Sequence, residues 1–169
     1  VTAQNEVGDT ADGVGTVHGR STTRDDLHAL DHRLGQHVDV ERAVLGGRHD
    51  TAAIEQHAAD LLARPNCQLV VVTLGDKGSR AFTAAGKAQA DIYAPPVFGD
   101  TVGAGDSLMA GILTWLHERG LLKPGRLDGL GEGALSDMLR FGAVVAGINC
   151  GRKGCKPPTR AEVDAVLAN

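Results

Sequence analysis

Asp100-Thr101-Val102-Gly103-Ala104-Gly105-Asp106-Ser107 places two glycines and small residues between two carboxylates and runs at once into the apolar stretch Leu108-Met109-Ala110-Gly111-Ile112-Leu113. The first amides of a helix lack partners inside it and sit at the positive end of its dipole, so a helix opening here presents bare N–H groups to an anion such as a phosphate. Gly103, Ala104 and Gly105 leave those amides uncovered. Asp106 falls in the first turn, held beside the anion's place. A carboxylate repels a phosphate, which makes it a poor choice for binding alone and a suitable one for a general base that deprotonates an attacking hydroxyl. The spacing therefore points to phosphoryl transfer. A Gly-rich strand-to-helix turn whose acid complements the helix dipole is the other reading that spacing leaves open.

The elements needed to hold such a loop follow an α/β rhythm. Thr51 can cap a helix with Glu55 in its first turns, and Ile54, Ala58, Leu61 and Leu62 make a 3.6-residue stripe that Pro65 and Asn66 stop. Gln68 to Leu74 reads as a strand whose Leu69-Val70-Val71-Val72 run is buried on both faces, as in a parallel sheet. It ends in Thr73-Leu74-Gly75-Asp76-Lys77-Gly78, at the C-terminal end of a buried strand, where open α/β sheets bind ligands. Glycines also simply punctuate the chain, and Lys77 is an ordinary exposed turn lysine on that reading. Ser79 to Tyr93 is a hairpin turning at Ala85-Gly86, an edge of the sheet, and Pro95-Pro96 ends it. Helices are expected over Ser107–Arg119, closed by Gly120, over Ala134–Asn149, and over Arg160–Leu167 behind a Thr159 cap, with Trp115 in the core. The basic loop holding Arg152, Lys153 and Lys156 suits the negative end of the second helix.

Asp100 to Gly111, Asp-Thr-Val-Gly-Ala-Gly-Asp-Ser-x-x-Ala-Gly, resembles the C-terminal signature of the ribokinase-like sugar kinases, the phosphofructokinase-B family. The Thr-Leu-Gly-x-x-Gly from Thr73 to Gly78 resembles that family's ATP-contacting turn. The ending Gly-Cys-x-Pro-Pro-Thr-Arg-Ala-Glu-Val is closest to fructokinase-like members, and the likeness covers about Ala52 to Leu167. The resemblance implies an α/β fold, the C-terminal part of a ribokinase-like three-layer sandwich with a β-hairpin edge and covering helices. It implies Asp106 as the catalytic base for a sugar hydroxyl and the amides of Gly103, Ala104 and Gly105 as the anion hole. Thr73, Gly75 and Gly78 would lie near the nucleotide phosphates, and Ala143 would face the adenine. Asp100, Val102 and Gly154 would hold a monovalent cation, K⁺, that props the anion hole; the roles of Asn149 and Pro158 stay open. ATP and Mg²⁺ are the implied cofactors, a small-molecule sugar the substrate, and a homodimer the full-length assembly. A P-loop kinase is disfavoured because the chain has no Gly-x-x-x-x-Gly-Lys-Ser/Thr, and a dinucleotide-binding dehydrogenase because no strand leads into Gly-x-Gly-x-x-Gly.

The 169 residues suit one domain, and a net charge of −4 gives no footprint for nucleic acid or an anionic membrane. Cys67, Cys150 and Cys155 lack metal-type spacing and suit a reducing cytosol; no apolar run approaches the ~18 residues of a membrane span, so a cytoplasmic protein is expected. Residues 1–50 contain no Lys and no aromatic residue, while His18, His28, His32, His37 and His49 fall inside them. They read as a poorly ordered or non-family leader, with one weak helix over Asp25–Leu45. His28 and His32, four apart, make half a metal site at most. The family-like part is expected from residue 51 to 169. The family's sugar-binding motifs are not found in 1–50, so a truncated, catalytically inactive nucleotide-binding fragment is the alternative to a working sugar kinase.

Overall fold

The computed structural model describes residues 51–168 and, upstream, three short strands: β1 (Gly15–Val17), β2 (Arg20–Thr22) and β3 (His37–Asp39). The chain divides into two units, Val1–Gly35 and Gln36–Asn169. In the first, β1 and β2 pair antiparallel, with Val17 opposite Arg20. The expected disorder of the leader and the His28/His32 pair lie outside the described residues.

The second unit is built on a four-stranded sheet in the order β3-β4-β5-β6, where β4 is Cys67–Thr73, β5 Ser79–Thr83 and β6 Gly86–Ala90. The sheet is mixed: β3 runs parallel to β4, and β4, β5 and β6 form an antiparallel meander. The parallel sheet expected around Leu69–Val72 thus exists on one side of β4 alone, because the hairpin returns directly beside it. The weak helix expected over Asp25–Leu45 is also corrected where it is described. Val38, inside that range, pairs with Leu69 as part of β3, and strand pairing overrides a marginal helical preference.

Burial of β4 on both faces follows from helices on each side. Val70 and Val72 pack with Phe82 against Ile54, Ala58 and Leu61 of α1 (Thr51–Leu62). Leu69 and Val71 face the other way with Ala81, toward Ile112, Trp115 and Leu116 of α2 (Ala104–Glu118) and Leu135, Met138 and Leu139 of α3 (Glu132–Cys150). Side chains alternate across a strand, so this one apolar run feeds two cores and gives the three-layer order α/β/α. Each such aliphatic side chain, fully buried, contributes about 1.5–3 kcal/mol.

Local details differ from the sequence reading in instructive ways. Thr83 pairs with Gly86, so the hairpin turns at Ala84-Ala85, and β6 stops at Ala90 rather than Tyr93. Beyond it the chain runs along α3, its Tyr93 carbonyl set against the bare Cα of Gly147. Thr51 is the first residue of α1, and its hydroxyl accepts from Arg80. Glu55 pairs with Lys87 at 2.8 Å instead of completing a cap. Helix α4 (Arg160–Leu167) does begin at the expected cap: Thr159 and Glu162 form a reciprocal capping box. Arg160 then ties α4 to Glu118 of α2 and lies over the Phe141 ring.

Candidate functional site

The opening of α2 is shaped by Gly103. It caps the helix in the left-handed region, φ 72°, which a residue bearing Cβ enters only with strain, and a Cβ there would also run into the Cys155 thiol. Its carbonyl accepts the Ser107 amide at 2.9 Å, and the Ala104 amide turns back to the Thr101 carbonyl at 3.1 Å. Among the described residues, the amides of Gly103, Gly105 and Asp106 have no hydrogen-bond partner. The space over Gly105 is open: a Cβ built there meets nothing within 4 Å. Asp106 follows, exposed in the first turn. Bare amides, an open approach and a neighbouring carboxylate therefore share one helix end.

Behind this tip two loops are cross-braced. Asp100 sends Oδ1 to the Val102 amide, 2.9 Å, and Oδ2 to the Gly154 amide, 2.7 Å. Those two bonds, the Gly154 one foremost, hold the Asp100 carboxyl below the usual aspartate range. Asn149, fully buried in the last turn of α3, donates from Nδ2 to the Val102 carbonyl at 2.8 Å and accepts the Lys156 amide on Oδ1 at 2.7 Å. Gly99 donates to the Cys150 carbonyl, 2.8 Å, completing the seam. Arg152 does more than complement a dipole: it donates to the Lys156 and Pro157 carbonyls and pairs with Glu162 of α4. Burial pushes the Cys150 thiol up, and the Asp100 charge adds to that.

The expected cation residues Asp100, Val102 and Gly154 therefore meet in one place. A carboxylate and main-chain carbonyls are hard oxygens suited to an alkali or alkaline-earth ion. Each bonded carboxylate or carbonyl oxygen keeps a second lone pair, so the set fits such a cation. Among the described residues no three His, Cys, Asp or Glu side chains cluster as a metal cage; Mg²⁺ in phosphoryl transfer needs none, since it is held largely by substrate phosphates and water.

The strand-end turn is a separate element. Leu74 N–H reaches the Gly78 carbonyl at 2.8 Å around a 3₁₀ turn at Gly75–Lys77, leaving Thr73, Gly75 and Lys77 exposed. Gly78, at φ 81°, lies against the Ala90 carbonyl, so this glycine joins the turn to β6 rather than to the helix tip. Ala143 lines a cavity of about 440 Å³ with Tyr93, Ile92, Arg140 and Ser136, between α3 and the chain leaving β6. From Ala143 to Asn149 is six residues of helix, ~9 Å, and Asn149 touches Val102.

Sequence reading left Asn149 without a role and did not single out Cys155. Asn149 had a visible signal: it continues the buried α3 stripe of Leu135, Met138, Gly142 and Val145, and a polar residue on such a stripe must find partners. Cys155 had none, because its contact with Gly103 exists only once the loops meet.

The sequence profile described as pfkB family carbohydrate kinase matches residues 38–162. The chain belongs to the pfkB carbohydrate kinase family. The matched stretch begins ahead of Thr51, where the sequence reading starts its family-like part, and takes in Val38 and Asp39 of β3. Fructokinase of Solanum tuberosum is 31% identical over 132 residues, which are 76% of this chain and 38% of that protein. Probable fructokinase-4 of Arabidopsis thaliana is 31% identical over 117 residues, 68% of this chain and 33% of its own length. The chain thus spans about a third of the length of these relatives. Among solved structures, ribokinase from Giardia lamblia superposes with a TM-score of 0.58 at 29% identity, covering 70% of this chain and 37% of that one. Arabidopsis thaliana ribokinase complexed with ribose and ATP gives 0.51 at 26% identity, covering 70% and 33%. The pfkB fold is accordingly ribokinase-like α/β, and no helix among the described residues is long and apolar enough to cross a membrane.

Proposed function

We propose that this chain carries the phosphate-handling part of an ATP-dependent, fructokinase-like sugar kinase. The observation that carries the reading is the α2 tip: partnerless amides at Gly103, Gly105 and Asp106, open space over Gly105, and the exposed Asp106 carboxylate beside them. In this reading the amides take the charge on the transferring γ-phosphoryl group, and Asp106 accepts the proton of the attacking sugar hydroxyl. Thr73 and Gly75 line the path of the phosphates, with Gly78 closing their turn against β6, and Ala143 with its cavity takes the base. Asp100, Val102 and Gly154 hold K⁺ behind the tip. Mg²⁺, when bound with the nucleotide, supplies charge neutralisation on the phosphates. The chain's own residues do the positioning, from which such transfers draw most of their rate. A small sugar as partner and a cytosolic setting go with this function; the fructokinase relatives favour fructose.

Two measurements test it: ADP binding by calorimetry, and ADP release in a coupled assay with fructose, ribose or 2-keto-3-deoxygluconate. The wild-type chain and Asp106→Asn are expected to bind Mg·ADP alike. Any sugar-dependent release is expected to fall by about 10²–10⁴-fold in Asp106→Asn, the usual weight of a general base. Absence of ADP binding by the wild type, or turnover indifferent to Asp106, overturns the reading. A second reading, nucleotide binding without turnover, would be selected by release at background level with every sugar.

A further inference from the structure

Asn149 sits apart from the residues given roles above, yet it is the most completely engaged polar side chain near the tip. It is 0% exposed, and both ends of its amide are used, by Val102 on one loop and Lys156 on the other. Its donor bond falls on a decisive carbonyl. Val102 C=O and Gly103 N–H belong to one planar trans peptide, so fixing the carbonyl toward Asn149 turns the Gly103 N–H the opposite way. The other side of the same residue is fixed too, because the Val102 amide is held by Asp100. Gly103 is the left-handed cap from which α2 starts. A glycine there is free to take other conformations, and nothing in its own side chain selects this one.

We propose that Asn149 is a positioning residue: it locks the Val102–Gly103 peptide so that the helix-tip amides stay aimed at the open face, and couples that aim to the 151–158 loop. The proposal rests on the phosphate-handling reading of the tip. Asp100 and Asn149 form a reciprocal pair, one side chain reaching from the tip loop to Gly154 and the other from the end of α3 to Val102. A buried asparagine serving stability alone would require only that its amide be satisfied somewhere; here the donor is placed on the peptide that orients the cap.

The test uses Asn149→Asp, which keeps size and the acceptor for Lys156 but removes the donor to Val102. Hydrogen exchange of the ligand-free chain is followed peptide by peptide, with affinity for a non-hydrolysable Mg·ATP analogue, which keeps the γ-phosphate, measured beside it. Faster exchange confined to residues 100–107 and 152–156, with β4 and α1 unchanged, and analogue affinity lowered at least tenfold are expected. Unchanged exchange at the tip, or a uniform increase across the whole unit, overturns the proposal, as does wild-type analogue affinity in the variant. Should the variant not fold, the wild-type chain decides by nitrogen-15 NMR. The Asn149 side-chain amide should be strongly protected and shift on adding the analogue, whereas exchange as free as that of exposed Asn66 overturns the proposal. Failure of the wild type to bind the analogue sinks the phosphate-handling reading, and with it the claim that Asn149 serves a ligand; failure of the exchange pattern with the analogue still bound sinks Asn149 alone.

Discussion

Glycines of the two family-like motifs do different work, and the difference is measurable. Gly105 lies in the helix with open space where a Cβ would stand, so Gly105→Ala should leave folding intact or improve it, by up to about 1 kcal/mol from helical preference. The added methyl group would occupy the face an anion must approach, so affinity for a non-hydrolysable Mg·ATP analogue should fall at least tenfold. Thermal melts and calorimetry on the same variant check both halves, and an unaltered affinity would remove Gly105 from the site. Gly78→Ala is the reverse case. Its positive φ and its contact with the Ala90 carbonyl predict a loss of about 2–3 kcal/mol in denaturant unfolding. Gly111, the last residue of the signature, belongs to neither class. A Cβ there would lie 2.9 Å from the Gly142 Cα, so it lets α2 and α3 approach closely.

Between elements, the joint that matters is the seam of the 99–103 and 151–158 loops, and its charged member is Asp100. Its folded-state carboxyl is held below the ordinary aspartate value by the Gly154 and Val102 amides. On acidification the unfolded chain therefore takes up the proton first. The contribution of this carboxylate is complete above about pH 4 and is lost as pH falls through the depressed folded value. Protection factors of the Val102 and Gly154 amides, exchange corrected for its intrinsic pH dependence, should drop at the acid end between pH 6 and pH 3, and Asp100→Asn should abolish that step. A step that persists in Asp100→Asn would assign the acid sensitivity to another group. The Thr159–Glu162 capping box and the Arg152–Glu162 pair carry the same seam on into α4.

Across the Gln36–Asn169 unit, β4 and β5 are the strands that both cores share, and β4 gives them more of the buried side chains. Leu69 is 0% exposed and belongs to the α2/α3 side, while its neighbour Val70 belongs to the α1 side. Leu69→Ala should cost about 2–5 kcal/mol in urea unfolding, because the cavity opens where three elements meet. A loss under 1 kcal/mol would mean that the helices collapse onto the sheet without it. Through α2 the same core holds the tip in place, since Ile112 and Leu116 pack into it while Asp106 stays outside.

Sequence alone determined the pieces governed by local rules. The Ile54-Ala58-Leu61 stripe, the four-residue Leu69–Val72 run, the Thr159 cap and the Gly-Ala-Gly-Asp opening of α2 each carry their own periodicity or backbone requirement, and each forms in the structure. What it left unsettled are pairings over long separations. The parallel partner His37–Asp39, the peeling of Asp91–Tyr93 from the sheet onto α3, and the reach of Asn149 to Val102 across 47 positions carry no local signal. Only tertiary structure decided these, because such a hydrogen bond is chosen by which chain ends packing brings within 3 Å of each other, and that depends on both cores closing around β4.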